Sequence, residues 1–547
     1  MFGKKKGLVA GEDRMKLDFK RTLFVGFAFM GIMCFWEVYD YIMPLILQRV
    51  FGMSYTEYGV IMALDNMLAI FLLPFFGHLS DKRNSKIGRR TTFILWGTVL
   101  AVAFMICMAV VEHVEYGLVT KIDMDDPNAV YDYVVQFGSN WAGDEKASMD
   151  AFVAGWQNAD IQTWFNGLKD GTIEELAADQ NVIYNDAFLT PFYETQRLIA
   201  AKVRGENIGL LVAFIIMLLA VLVAMASYRS PAIALMPDVT PKPLRSQANA
   251  LITFMGGAGG LVSIIIYTVY NKLAPNRYSA SHIWLFVTLG AIMLLMLIAF
   301  MSVVRENKFV QMRYDEEKRW SVVDEEEVHC NEPLGKEKRV SLFLILATVF
   351  MWFMGWNAIK SHLTTYATTI LKFDDSFVSI INILNGAGGA IALVPVAILA
   401  AKFGRKKTIL MGVIIAVCAF IPCIFLHDGM KSAIGLKIGF TICFLVAGFG
   451  LVIINVNTLP MVTELAKGSN VGQYTGYYYV ASMTAQAITP IIGGAILDNT
   501  SDDQKGFLFV YGICCIAVAF VTMFFTKHGD NRPERKKNVV EYFGEED

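Results

Sequence analysis

The chain has 547 residues, a formal net charge of −2, 55% hydrophobic residues and a mean hydropathy of +0.47. Only 18% of its residues are charged, against about a quarter in soluble domains, and the apolar residues come in blocks of about 20, the length that crosses hydrocarbon as a helix. This excludes disorder, collagen, a disulfide scaffold and an ordinary soluble enzyme, and the near-neutral charge gives no reason to expect nucleic-acid binding.

Taken in chain order, residues 1–21 carry Lys4, Lys5, Lys6, Arg14, Lys16, Lys20 and Arg21. The apolar block that follows is too long for a signal peptide and has no small-residue cleavage site after it, so it reads as a retained helix. Six spans are predicted at about 22–47, 58–79, 91–111, 207–228, 247–270 and 282–304. Between the third and fourth lies an acidic insertion, 112–206. Ile161, Trp164, Phe165 and Leu168 repeat at helical spacing there, Thr172-Ile-Glu-Glu175 resembles a capping box opening another helix, and Trp141 and Trp156 add apolar mass. These features predict a small helical cap on the outer side, with no partner legible.

Residues 305–339 form a charged linker containing Asp315-Glu316-Glu317-Lys318-Arg319 and Asp324-Glu325-Glu326-Glu327, a solvated tether. Six further spans follow at about 340–363, 376–400, 408–427, 437–459, 473–497 and 506–526, then a tail, 527–547. Basic residues gather in alternate loops: Lys82, Arg83, Lys86, Arg89 and Arg90; Arg229, Lys242 and Arg245; Lys402, Arg405, Lys406 and Lys407. By the positive-inside rule both termini lie in the cytoplasm of a multi-pass plasma-membrane protein. The fold class is therefore an all-α membrane protein, twelve transmembrane helices in two six-helix bundles, 22–304 and 340–526.

The bundles carry a weak repeat. The second span ends Pro74-Phe-Phe-Gly77…Asp81, then Gly88-Arg89-Arg90; the eighth ends Pro395…Ala401, then Gly404-Arg405-Lys406. Counting back equally from Asp81 and Ala401 pairs Asp65 with Asn385. Such repeats mark secondary transporters with a central site. Glycine runs at Gly256–Gly260 and Gly386–Gly389 let helices approach closely. No Walker motif is present, which argues against an ATP-driven pump. Seven cysteines lie in apolar blocks and Cys330 in the linker, none at metal-ligand spacing with histidine. They read as packing residues, so no metal and no cofactor is expected. Candidate nucleophiles and histidines, His78 and His362 among them, are scattered, and the chain does not read as an enzyme.

The stretch Gly77-His-Leu-Ser-Asp81-Lys82-Arg-Asn-Ser-Lys86-Ile-Gly88-Arg89-Arg90 resembles the signature loop between helices 2 and 3 of the major facilitator superfamily. Its longer Asp-to-Gly spacing is similar to that of glycoside–pentoside–hexuronide cation symporters and sucrose/proton symporters. So are Trp36, Pro44 and Gln48, and Tyr228-Arg229-Ser230-Pro231…Asp238…Arg245-Ser-Gln-Ala-Asn249. The resemblance implies that Gly77, Asp81, Lys82, Gly88, Arg89 and Arg90 form a gating motif that helps hold the outward-open form. Ala69 and Leu73 stand where melibiose-type members carry a carboxylate pair, which argues against a sodium site of that type. Independently of family, an acid at a helix end among arginines can tie two bundles together in one state and release them in another.

Charges inside hydrocarbon cost about 2.5–3.5 kcal/mol on insertion scales, so they face protein or water. Glu37, Asp40 and Tyr41 share a face of the first span; Asp65, with Asn66, lies two turns into the second; Lys360 follows Trp356 and Asn357 in the seventh. Three acids and one lysine suit proton coupling, with sodium as the alternative ion. Tyr474, Tyr478, Ser482 and Gln486 form a stripe on the eleventh span, and Asn382, Asn385, Asn455, Asn457, Trp352 and Trp356 add amides and aromatic platforms. Such groups suit a small polar solute, a sugar or glycoside. The sequence thus predicts a proton-coupled sugar symporter in the lipid bilayer. An exporter of amphipathic drugs with the same fold and a non-transporting sensor are the rivals.

Overall fold

The computed structural model describes residues 17–529 except 139–140, 174–175, 242–243, 275–276, 279, 320–334, 426–432, 466–470 and 502–503. The N-terminal lysines to Lys16, the capping glutamate Glu175, the linker's Cys330 and the tail beyond 529 lie outside the described residues.

Twelve long helices carry the architecture. In the first lobe they are α1 (Phe19–Leu45), α2 (Tyr55–Lys82), α3 (Thr91–Val119), α9 (Ile208–Val239), α10 (Arg245–Leu273) and α11 (Ile283–Val303). The second lobe has α13 (Lys336–Thr365), α14 (Asp375–Phe403), α15 (Arg405–Cys423), α16 (Ala433–Thr463), α17 (Val471–Asp498) and α18 (Phe507–Phe525). Eleven are long and apolar enough to cross a membrane among the described residues; α14 matches them in length. No strand occurs among the described residues. A further helix, α12 (Glu306–Arg319), opens the linker and lies against the first lobe.

Local chemistry sets the ends. Ser54 and Glu57 form a reciprocal capping box: the Ser54 hydroxyl accepts from the Glu57 N–H at 3.2 Å and the Glu57 carboxylate accepts from the Ser54 N–H at 2.9 Å. Gly259 lets α10 lie against the α1 backbone, because a Cβ there would stand 2.2 Å from the Met30 carbonyl oxygen. Two boundaries differ from expectation. Helix α3 continues to Val119, and α9 continues past 228 to Val239. The reason is continued burial: Ala232, Leu235 and Val239 keep facing the core after Arg229. Arg229 is therefore inside a spanning helix and not in an inner loop.

The two lobes repeat each other in register. A single π turn ends the first helix of each, Ile46–Val50 after α1 and Tyr366–Ile370 after α13. In that register Trp36 matches Trp356, Glu37 matches Asn357, Asp40 matches Lys360 and Asp65 matches Asn385. Arg229 stands to Asp238 as Asn455 stands to Glu464. Both of those acids bind the arginines at the start of the third long helix of their lobe, Arg89 and Arg90 before α3 and Arg405 of α15.

The lobes are tied together on the side of the insertion, called outer here. The Arg49 guanidinium donates twice to the Asp375 carboxylate, at 2.6 and 2.8 Å. The Tyr55 and Thr56 N–H groups donate to the Asp498 carboxylate at 2.9 and 2.7 Å. His362 donates through Nε2 to the Pro490 carbonyl at 2.8 Å and accepts at Nδ1 from the Tyr58 hydroxyl at 2.6 Å.

The insertion folds as α4 (Pro127–Phe137), α5 (Gly143–Trp156), α6 (Ala159–Asp170), α7 (Ala178–Tyr184) and α8 (Thr190–Glu206). Phe152, Trp156, Phe188 and Phe192 form its own aromatic core. Thr172 does not open a helix: its hydroxyl donates to Asp170 at 2.7 Å, finishing α6, and the next helix begins at Ala178. The cap rests on both lobes. Arg197 donates to the Gly52 carbonyl at 3.3 Å, and the Tyr193 ring lies 3.9 Å from the Arg277 guanidinium and 5.0 Å from the Lys372 ammonium.

Candidate substrate and ion site

A cavity of about 470 Å³ lies between the lobes beneath the outer contacts. Helix α1 presents Glu37 and Asp40 one turn apart, because residues at i and i+3 share a helix face. Helix α2 contributes Asp65 and Asn66, and α9 contributes Arg229. The opposite wall holds Asn357 and Lys360 of α13, Asn455 of α16, and Tyr478, Tyr479, Ser482 and Gln486 of α17. Bonded pairs between the lobes close the outer side above this cavity.

Its charges are arranged unevenly. The Lys360 Nζ lies 3.0 Å from Asp40 Oδ2, across the seam between lobes, and both side chains remain partly open to the cavity, 46% and 38%. The Asp65 Oδ1 accepts from its neighbour Asn66 twice, from the backbone N–H at 2.5 Å and from the side-chain amide at 2.7 Å. The Arg229 guanidinium lies 5.7 Å from the Trp36 ring, a cation–π contact that holds it at the cavity wall. Three carboxylates thus face two cations, and the first lobe supplies every one of the carboxylates.

Nine sequence-predicted residues meet here: Glu37, Asp40, Asp65, Asn66, Asn357, Lys360, Asn455, Tyr478 and Gln486. Five others do not line the cavity. Tyr41 belongs to the outer seam, where its hydroxyl donates to the Asp375 carbonyl at 2.8 Å and accepts from the Asn271 amide at 2.7 Å. Trp356 is turned into the second lobe, stacked on Phe444 with ring centroids 5.7 Å apart. Asn382 donates back to the Val378 carbonyl at 3.3 Å on its own helix, and Asn385 packs against Gly448 of α16. Tyr474 is buried away from the site because a four-residue stripe drifts: twelve residues from Gln486 it is rotated by about 120°. Sequence reasoning missed Arg229, Trp36 and Tyr479 as lining groups. The signal for Arg229 was available in the apolar residues Ala232, Ile233, Ala234, Leu235 and Met236 beyond it.

The motif between α2 and α3 forms a closed network within the first lobe. Asp81 lies in the last turn of α2, not beyond it, and accepts from Arg90. An acid at a helix C-terminus is unfavourable against the helix dipole, and the guanidinium offsets it. Arg90 Nε and Arg89 donate to Asp238 at 3.0 and 2.9 Å. Glu306 of α12 caps α3, accepting from the Arg90 and Thr91 N–H groups at 3.0 and 2.7 Å. Gly88 adopts φ +130°, and a Cβ there would stand 2.2 Å from the Glu306 carboxylate. Gly77 faces Ser230, where a Cβ would meet the hydroxyl at 3.1 Å. Lys82 is exposed at the end of α2.

Two repeated six-helix lobes around a central polar cavity define a membrane transporter architecture. The Major Facilitator Superfamily model matches residues 199–440 and 369–542, and the chain belongs to that superfamily. No curated protein matches the sequence. Among solved structures, a D-xylose–proton symporter aligns with a TM-score of 0.58 at 12% identity, covering 95% of this chain and 100% of its own. The inward-open xylose transporter XylE from E. coli aligns with a TM-score of 0.58 at 13% identity, covering 96% and 98%. The nucleoside transporter NupG aligns with a TM-score of 0.56 at 10% identity, covering 92% and 100%. At these identities the likeness is one of fold.

Proposed function

We propose that this transporter is a symporter of a sugar or glycoside, coupled to a proton, that works by alternating access with both termini in the cytoplasm of the plasma membrane. The observation that carries this reading is the composition of the cavity. One wall offers carboxylates able to take up and release a cation; the other offers neutral amides, hydroxyls and phenols that hydrogen-bond a polyol. Asp40 and Asp65 are the proposed coupling carboxylates: both line the cavity, Asp40 paired with Lys360 and Asp65 with no ion pair among the described residues. The network of Asp81, Arg89, Arg90 and Asp238 is the proposed inner gate. In this inward-facing arrangement its named bonds run within the first lobe, as a released gate requires. Nothing in the cavity calls for covalent chemistry.

Counterflow in proteoliposomes with a sugar panel, run with and without a pH gradient, tests the reading. It predicts exchange of at least one sugar and its accumulation under an inward proton gradient. Met33, Met62, Met483 and Phe353 also line the cavity, and they favour the alternative of an amphipathic cation. Proton-driven dye export without sugar exchange would establish that alternative.

A further inference from the structure

The Asp40–Lys360 pair crosses the seam between the lobes. The outer seal lies directly above it: Arg49 ends the same helix as Asp40, and His362 is two residues beyond Lys360. Opening the outer side must draw these ends apart, and an ion pair of 3.0 Å cannot follow. Lys360 then leaves with the second lobe. The wall it leaves carries Glu37, Asp40 and Asp65 against Arg229 alone, one positive charge fewer than when the outer side is closed. Unbalanced charge in a membrane cavity is costly, so the exposed carboxylate draws in a small monovalent cation. Closing the outer side brings the ammonium back to Asp40 while the cavity faces inward, and the cation is released to the inner side. A compact ammonium on a flexible stem suits this exchange better than a guanidinium fixed by several hydrogen bonds.

We infer that Lys360 is a tethered cation that displaces the coupling cation from Asp40 each time the outer side closes. This rests on the cation-coupled reading above and assigns its release step. The proton is the proposed coupling cation, and sodium is the alternative that the titration below separates from it. The other titratable or charged groups around the pair are Tyr39 and Glu37 on α1, Asp65 on α2, Arg229 on α9, Tyr267 on α10, and Tyr478 and Tyr479 on α17.

The test needs no solute. Spin labels at Lys272 and Asn499, exposed at the outer ends of α10 and α17, report the opening in a cysteine-free full chain in nanodiscs. Pulsed electron resonance distances are recorded across pH in potassium buffer, and across a sodium titration at fixed pH. In the parent the outward-open to inward-open ratio rises about tenfold with the coupling cation, since that cation binds one state better. The arm that responds identifies the ion. Lys360→Gln raises the outward-open fraction in every buffer and flattens the response to less than about twofold. The double exchange Asp40→Lys with Lys360→Asp rebuilds the pair and regains the inward-open preference; a monodisperse exchange variant that stays outward-open overturns the inference. Lys360→Gln retaining the parent response overturns it too, and leaves cation-coupled transport standing. A parent that is flat in both arms removes both readings.

Discussion

The two lobes share a helix plan in register but divide the chemistry. Where α1 places Glu37 and Asp40, α13 places Asn357 and Lys360; where α2 places Asp65, α14 places Asn385; where α9 places Arg229, α16 places Asn455. The first lobe keeps ionisable groups that must be balanced, and the second presents mainly neutral hydrogen-bonding groups. Not every matched position reaches the centre: Asn357, Lys360 and Asn455 line the cavity, whereas Trp356 and Asn385 do not. What each copy does there depends on charge, because a charge in this setting is worth several kcal/mol and an amide about one.

Substitutions at matched positions break or sharpen this contrast. The largest effect is expected at Arg229. Arg229→Met leaves the carboxylates of its wall unbalanced, a loss of about 3 kcal/mol or more, so uptake in proteoliposomes should fall about a hundredfold. Asn455→Met at the matching position should lower it by less than about tenfold. Equal losses would show that the lobes are not divided by charge.

Gly88→Ala comes next. Its backbone lies at φ +130° against the Glu306 carboxylate, so the variant should lose about 2 kcal/mol, read as a lower Tm in detergent. A smaller expected effect is on the state equilibrium. Arg49→Ala removes the two-pronged contact with Asp375 and should favour the outward-open form about tenfold, measured by the distance between spin labels at Lys272 and Asn499. Thr369, which occupies the matching place in the second lobe, makes one 3.3 Å contact to Gln48. Thr369→Ala should move the equilibrium by less than about threefold. The smallest effect is expected at Gln486. Gln486→Ala removes one neutral hydrogen-bonding group and should raise KM about fivefold with coupling unchanged.

Much of this site was legible in the chain. A charge stranded in an apolar block has few places to go, so Glu37, Asp40, Asp65 and Lys360 could be assigned to a cavity from cost alone. Neutral polar residues carry no such penalty, so cost alone does not send them to the cavity. Asn382 bonds back to its own helix, Asn385 packs against Gly448, and Trp356 stacks on Phe444 although its counterpart Trp36 lines the cavity. Arg229 was misplaced because basic residues near an apolar block's end read as loop anchors, and only the buried residues beyond it reveal the longer helix.

Hydrophobic block length and charge placement determined by themselves that this is a twelve-helix membrane protein in two related halves, since a bilayer fixes helix length and excludes unpaired charge. Tertiary structure alone decided which faces meet across the seam, that Lys360 reaches Asp40 and that the cap's Tyr193 touches both lobes. Those contacts join residues far apart in the chain, and they depend on how two lobes are tilted, a quantity that no local periodicity encodes.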